Sequence, residues 1–194
     1  LIGHVGHVVV IGNTGVAPVA IRLVETVEDV ERLDLPSAAK VSYLTQTTLS
    51  VDDARRIIAR LEQRFPQLVG PPRADICYAT QNRQEAVRLL GQQADLILVV
   101  GSQNSSNSRR LEELGRELGV PAFLIDGPDE IQPEWFDRTQ TVLVTAGASA
   151  PESIVQACVD WLCERFDATV QLRSVSDEEV HFPLPKPLRY FSRE

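Results

Sequence analysis

The segment LILVVGSQNSSNS, residues 96–108, sets the fold class of this 194-residue chain. Its first five residues are apolar, as in a buried strand, and small polar residues follow before the next amphipathic stretch. A strand, a polar loop and a helix in this order are typical of parallel sheets that are covered by helices. Apolar and amphipathic segments alternate in the same way along the chain, so the sequence predicts an α/β fold.

The periodicity of apolar residues predicts the individual strands and helices, and capping residues mark where two of the helices begin. Ser50 is a predicted N-cap, as is Asn82, which has Glu85 at the capping-box spacing. The predicted strands are 21–25, 41–45, 96–100, 122–125, 141–145 and 169–175. The predicted helices are 27–33, 51–65, 82–93, 108–118 and 151–166, with a further short helix near 129–136.

The chain also repeats itself at nearly constant offsets. Residues 22–30 lie over 123–131 and residues 61–65 over 162–166 at an offset of 101, and residues 1–4 lie over 99–102 at an offset of 98. The second offset places His7 at the position of Ser105. Repeats of this kind indicate a duplicated supersecondary unit.

The repeat predicts two tandem duplicated three-layer α/β domains with small parallel sheets. The first unit spans 1–72 and lacks its opening strand, the second spans 73–175, and a Pro-rich tail occupies 176–194. The missing strand and the absence of methionine are what we expect of a piece of a longer protein.

Composition limits the partners. A net charge of -8 and a pI near 5.0 argue against binding to nucleic acid or to an anionic membrane, since both are polyanions. Three cysteines cannot all pair, and no apolar run approaches the roughly 20 residues that span a bilayer. We therefore expect a soluble cytoplasmic protein whose partner is a small molecule or a protein.

Three clusters of small polar residues follow predicted strands, at 45–48, 102–107 and 146–149. Hydroxyls, amides and free helix N–H groups at the carboxyl ends of parallel strands form an anion site, for which phosphate is the natural ligand. The alternative is that these residues only cap helices.

Cys77 precedes a predicted helix. The positive end of a helix dipole favours the thiolate, which binds metal or attacks carbon. The alternative for Cys77 is a small buried apolar residue.

Four ordered segments carry a resemblance to a known family. They are LTQTTLSVDD at 44–53, DICYATQNRQEAV at 75–87, GSQNSSNS at 101–108 and TAGASAP at 145–151. In sequence and spacing these segments resemble 4-hydroxy-3-methylbut-2-enyl diphosphate reductase, the last enzyme of the non-mevalonate isoprenoid pathway. The likeness covers about the last two-thirds of such an enzyme.

The resemblance implies a cloverleaf of three α/β domains around a 4Fe-4S cluster, of which this chain supplies two. In that family two electrons from ferredoxin or flavodoxin remove the substrate's hydroxyl as water, giving isopentenyl and dimethylallyl diphosphate. By the same resemblance, Cys77 is a cluster ligand and Thr47 the active-site threonine. The resemblance also assigns substrate binding to six residues, which are His7, Thr47, Ser105, Ser106, Asn107 and Ser149.

The chain departs from the family in two ways. Two further cluster cysteines of the family belong to an earlier domain, and Cys158 and Cys163, five apart on one predicted helix, do not replace them. The family also has Pro-Glu where this chain has Val8 and Val9, and valine cannot supply the proton that the glutamate relays. We therefore expect the chain alone to show little or no turnover.

The alternative is a non-catalytic truncated or engineered scaffold with at most weak diphosphate binding. The run from Val8 to Ile11 lies where the repeat predicts a helix start, although β-branched residues favour strands. An apolar segment of this kind would allow a homodimer to form.

Overall fold

The computed structural model describes residues 1–175 and 184–185, so all but two residues of the predicted tail lie outside the described part. Six α-helices lie within it: α1 Val8–Val16, α2 Val27–Arg32, α3 Val51–Arg64, α4 Tyr78–Gly91, α5 Ser106–Glu117 and α6 Glu152–Phe166. The same part contains three strands, β1 Leu96–Val100, β2 Ala122–Ile125 and β3 Val142–Ala146, and the 3-10 helices Pro128–Glu130 and Pro133–Phe136. The predicted α/β class is confirmed.

The second half of the chain, which runs from α4 to α6, is built around β1. The sheet has the order β2-β1-β3, all strands are parallel, and every residue of β1 is buried. One face of the sheet packs in a core with Cys158 and Leu162 of α6, and the other face packs in a core with Val87 of α4 and Leu111 of α5. The central strand is therefore covered by helices on both faces, as its unbroken apolar sequence predicts.

The first half has the same pairing in reduced form. Ile2 forms isolated parallel bridges with Val24 and Thr45, as Val100 pairs with Ile125 and Ala146 in the sheet. Ile2 corresponds to Val100 at the offset of 98, and Val24 and Thr45 correspond to Ile125 and Ala146 at the offset of 101. These are the offsets of the sequence repeat. The segments predicted as strands at 21–25 and 41–45 form isolated bridges instead. Val24 and Thr45 bridge to Ile2, and Ser42 bridges to Val69. The division at 72 and 73 stays a prediction.

Two predicted helices begin earlier than their sequence signals. Helix α4 begins at Tyr78 with Cys77 as its N-cap, so Asn82 lies inside the helix and the predicted capping box is wrong. The Cys77 N–H is bonded to the Thr47 carbonyl at 3.0 Å, and this long-range contact fixes the helix start. Helix α5 begins at Ser106, with Ser105 as its N-cap.

The Val8 to Ile11 run is helical despite its β-branched side chains. His7 caps α1 through Nδ1, which accepts the Val9 N–H at 3.3 Å, just as Ser105 Oγ accepts the Ser108 N–H in the repeat. The place of this segment in the fold therefore outweighs the intrinsic preference of its β-branched residues for a strand. Val10 is the buried residue of this helix, and Val8 and Ile11 are exposed.

The strand predicted at 169–175 does not form. Asp167 ends α6 in the left-handed conformation with φ 52°, and Leu172 is 97% exposed. A strand needs a neighbour that satisfies its backbone, and residues 167–175 form no regular structure in the described chain. No helix among the described residues has the length and apolar character needed to cross a membrane.

The Asp95 carboxylate ties the turn before β1 to the start of β3. Its Oδ2 accepts the N–H groups of Gln140 at 3.0 Å and Thr141 at 2.9 Å, and these bonds lower the pKa of Asp95 below 3.8. A carboxylate whose pKa is lower in the folded state stabilises the fold above its unfolded pKa, and the stabilisation is lost as pH falls through the folded pKa.

We therefore expect the urea midpoint to fall when the pH is lowered below about 4. Asp95→Asn should show a smaller fall than the parent chain, because it has lost one of the groups that bind protons on unfolding. The measurement is urea unfolding followed by circular dichroism at neutral and acid pH. An equal fall in the two chains would contradict the assignment to Asp95.

Candidate functional site

The carboxyl ends of β1 and β3 meet the first turn of α5. The Gly147 N–H donates to the Val100 carbonyl at 2.9 Å, and the Gly101 N–H donates to the Ile125 carbonyl at 2.8 Å. A Cβ would lie 2.1 Å from Ser108 Oγ if built on Gly147 and 2.4 Å from it if built on Gly101. The two glycines therefore allow the strand ends to approach the helix, which a side chain at either position would block.

Asn107 is the most informative residue at this junction. It is only 5% exposed, and neither polar atom of its side-chain amide has a hydrogen-bond partner among the described residues. Its Nδ2 lies 3.8 Å from the point where a Cβ on Gly147 would be. Buried polar atoms are almost always paired, so a buried amide without partners indicates where another group binds.

The other predicted serines lie around Asn107. Ser105 is the N-cap of α5, and Ser106 is its half-buried first residue. The first N–H groups of a helix have no acceptor within the helix, so this end of α5 offers donors to an anion. Ser149 is exposed in the loop after β3, and with Ser102 and Asp126 it lines a small cavity of about 150 Å³.

A larger cavity, of about 630 Å³, separates the first half of the chain from α5. Of the predicted site residues, His7 and Ser106 line it. His7 Nδ1 accepts a hydrogen bond, so its Nε2 carries the proton of the neutral ring and is the free donor. The remaining lining residues are His4, Val5, Gly6, Val8, Thr48, Ser50, Asp53, Asn104, Arg109, Arg110 and Glu113.

Charges of both signs face this cavity. Burial alone would lower the pKa of Arg110, but its hydrogen bond to Glu117 and the charges of Glu117 and Asp53 raise the pKa above its usual range. Burial likewise would raise the pKa of Asp53, but hydrogen bonds from Arg56 and Ser50 lower it. Both groups stay charged near neutral pH. Binding of an anion here must therefore depend on directed donors rather than on a net positive cavity.

Thr47 and Cys77 are brought together from distant parts of the sequence. They are joined by the backbone hydrogen bond that starts α4, and both residues are exposed. The Cys77 side chain makes no capping hydrogen bond, so its thiol is free at the positive end of the helix. By contrast, Cys158 is buried, which raises the pKa of its thiol, and Cys163 is half-buried.

The predicted site residues thus form neighbouring groups rather than one cavity. His7 and Ser106 share the larger cavity, Ser149 lines the smaller one, Thr47 contacts Cys77, and Asn107 lies beside Gly147.

Sequence reasoning did not single out Gln46, which is fully buried within the 45–48 cluster. Its Oε1 accepts the His4 N–H at 3.0 Å and its Nε2 donates to Thr48 Oγ1 at 3.0 Å. Gln46 thereby ties the loop before His7 to the loop after Thr45. The one long side chain in a cluster of small polar residues was the signal that could have identified it.

The described residues do not by themselves fit a 4Fe-4S cluster. No group of three or more His, Cys, Asp or Glu side chains in the described part of the chain is placed to hold a metal. Such clusters are held by several cysteine thiolates. Here Cys77 is exposed beside the strand ends, whereas Cys158 and Cys163 lie on α6.

The comparisons with known proteins agree in family. The LytB protein family matches residues 1–163. The chain is 59% identical over 194 residues to the 4-hydroxy-3-methylbut-2-enyl diphosphate reductase of Rhodopirellula baltica, covering 100% of the chain and 61% of that relative. Reductase 2 of Mycobacterium bovis is 51% identical over 188 residues, which cover 97% of the chain and 57% of the relative.

A solved structure gives the same result. The E-1-hydroxy-2-methyl-but-2-enyl-4-diphosphate reductase of Plasmodium falciparum superimposes with a TM-score of 0.89 at 35% identity, covering 98% of the chain and 60% of that protein. The chain thus spans about three fifths of the length of these relatives. The resemblance carried by the four sequence segments is confirmed, and the chain belongs to the LytB protein family.

Proposed function

We propose that this chain carries the diphosphate-binding part of a reductase that converts 4-hydroxy-3-methylbut-2-enyl diphosphate to isopentenyl and dimethylallyl diphosphate. The named relatives support the reaction. The observation that carries the assignment to these residues is the buried amide of Asn107, whose polar atoms have no partner among the described residues.

The diphosphate would be held by donors at the carboxyl edge of the sheet. The Asn107 Nδ2 group would donate to one phosphate oxygen, and the hydroxyls of Ser105, Ser106 and Ser149 would donate to others. The first-turn N–H groups of α5 add the positive end of a helix dipole. A ligand at this edge would follow the general rule for open parallel sheets.

His7 and Thr47 would contact the substrate's hydroxyl end. The free Nε2–H of His7 is a donor within the larger cavity, and Thr47 adjoins the Cys77 thiol. Val9 is the second residue of α1, and its isopropyl group holds no proton to transfer.

Turnover requires components that the described residues lack. In the reductase, the 4Fe-4S cluster would supply electrons, with ferredoxin or flavodoxin as their source in the cytoplasm. Cys77 would be one cysteine ligand of that cluster, and Val9 supplies no acid. We expect the chain alone to bind diphosphate without reducing the substrate.

The test is calorimetric titration of inorganic diphosphate into the chain at low salt. Asn107→Ala should weaken binding by about tenfold to a hundredfold, the loss expected when one hydrogen bond to a charged group is removed. Asn13→Ala is the matched control, because Asn13 bonds only the Val9 carbonyl of its own helix in the described structure. Absence of binding, or equal affinity in the parent and Asn107→Ala, would refute the proposal.

A self-associating scaffold is the second candidate, and exposure on α1 favours it. Val8 is 77% exposed and Ile11 is 57% exposed, and the helix has no charged residue. A homodimer through this face would make the mass depend on concentration in sedimentation equilibrium. Val8→Lys should abolish that dependence, and a constant mass for the parent chain would eliminate the dimer.

A further inference from the structure

Two polar residues anchor the segment around Cys77 to the loop around Thr47. The first is Asp75, two residues before Cys77. Its Oδ2 accepts the Thr45 N–H at 2.6 Å, and its Oδ1 accepts the Thr45 hydroxyl at 2.7 Å. Thr45 is itself buried and is two residues before Thr47. Both oxygens of one carboxylate are therefore used to hold one residue of the other loop.

The second anchor is Gln84, which is fully buried. Its Oε1 accepts the Val51 N–H at 3.0 Å and its Nε2 donates to the Leu49 carbonyl at 2.9 Å. The Val51 N–H is the first of α3 and has no acceptor within its own helix. The amide thus satisfies a helix end of the first half from the middle of α4.

Cys77 and Thr47 lie between the two anchors. Gln84 follows Cys77 by about two helical turns, so both lie on one face of α4. Their own contact, between the Cys77 N–H and the Thr47 carbonyl, is a backbone bond that any residue could make. The side chains that select this alignment are those of Asp75 and Gln84.

We propose that Asp75 and Gln84 are positioning residues that fix Cys77 against Thr47. They would make the thiol-bearing end of α4 and the threonine loop one rigid element, although the two come from opposite sides of the Gly-Pro-Pro segment at 70–72. The importance of this alignment for catalysis rests on the proposed function. The alignment itself does not, and it can be measured in the chain without substrate.

The test is hydrogen exchange detected by NMR, comparing the Cys77 amide with the Val99 amide in β1. If Asp75 positions Cys77, Asp75→Ala should lower protection of the Cys77 amide by roughly tenfold more than protection of the Val99 amide. Gln84→Leu should act in the same way. Asp75→Asn, which keeps one acceptor, should restore part of the protection.

Asp95→Ala is the matched control, since Asp95 also accepts two hydrogen bonds but lies at the sheet. It should not lower protection of the Cys77 amide more than protection of the Val99 amide. Equal loss of protection at Cys77 and Val99 in Asp75→Ala and Asp75→Asn would mean general destabilisation and would overturn the proposal. Calorimetry with diphosphate on the parent chain tests the proposed function separately, because the exchange result does not depend on ligand binding.

Discussion

Replacement of Phe65 by alanine should lower the free energy of unfolding by about 3–5 kcal/mol, the largest effect that we expect from a single substitution. Phe65 is fully buried in the core of the first half, against α3 and the bridges around Ile2. Both tryptophans, Trp135 and Trp161, belong to a core of the second half. Because Gln84 of α4 bonds the start of α3, we expect the tryptophan fluorescence transition in urea to shift together with circular dichroism.

The sequence repeat supplies the control for Phe65→Ala, which is the equivalent phenylalanine of the second half. Phe166 occupies the position of Phe65 at the offset of 101, but it is 43% exposed and contacts the rings of Phe136 and Trp161 at centroid distances of 5.0 and 5.9 Å. Phe166→Ala should therefore cost only about 1 kcal/mol. If Phe65→Ala left the tryptophan transition unchanged, the two halves would unfold independently and the coupling through α4 would be disproved.

The second large effect is expected at Gly147. Its replacement by alanine should destabilise the chain by about 1–3 kcal/mol, since the new methyl group would overlap the buried Ser108 Oγ at the strand ends. Ser108→Ala alone should be nearly neutral, because its hydroxyl has no partner among the described residues.

The double variant tests whether overlap with Ser108 Oγ causes the destabilisation. With the Ser108 oxygen removed, the Gly147 methyl group gains space, so the double variant should recover much of the lost stability and the two changes should couple strongly. Urea unfolding of the four chains measures this coupling. Additive effects would contradict overlap with Ser108 Oγ as the cause of the destabilisation.

Elements with strong local signals were predicted well from the sequence. Helix α3 begins after its Ser50 cap, and β1 has the predicted bounds. An amphipathic period predicts a helix, and the shortness of the apolar run together with the polar residues after it predicts a buried strand. The repeat also predicted the helix start at α1 correctly, whereas the β-branched residues of that segment favoured a strand.

Features that depend on distant contacts were not predictable in the same way. The start of α4 is set by Thr47, which lies thirty residues earlier in the chain. No neighbouring strand pairs with residues 169–175 among the described residues, and composition does not reveal this.

The site residues that the sequence named stay predictions. The polar strand ends and Cys77 were singled out from residue types and spacing, and the Asn107 amide has no hydrogen-bond partner among the described residues. The grouping of these residues into two cavities and two separate contacts was not predicted. Nor were the contacts of Gln46, Asp75 and Gln84, because a polar residue in a loop or helix is usually solvated and only the fold shows which ones are buried.

The position of β1 in the chain has a consequence for synthesis. Both of its hydrogen-bonded neighbours, β2 and β3, follow it, so the strand leaves the ribosome with two open edges and an apolar side-chain row. Parallel pairing between remote segments is slow, and exposed edges promote association between chains. We therefore expect an unpaired β1 to promote association between nascent chains until β2 and β3 have been made and have paired with it.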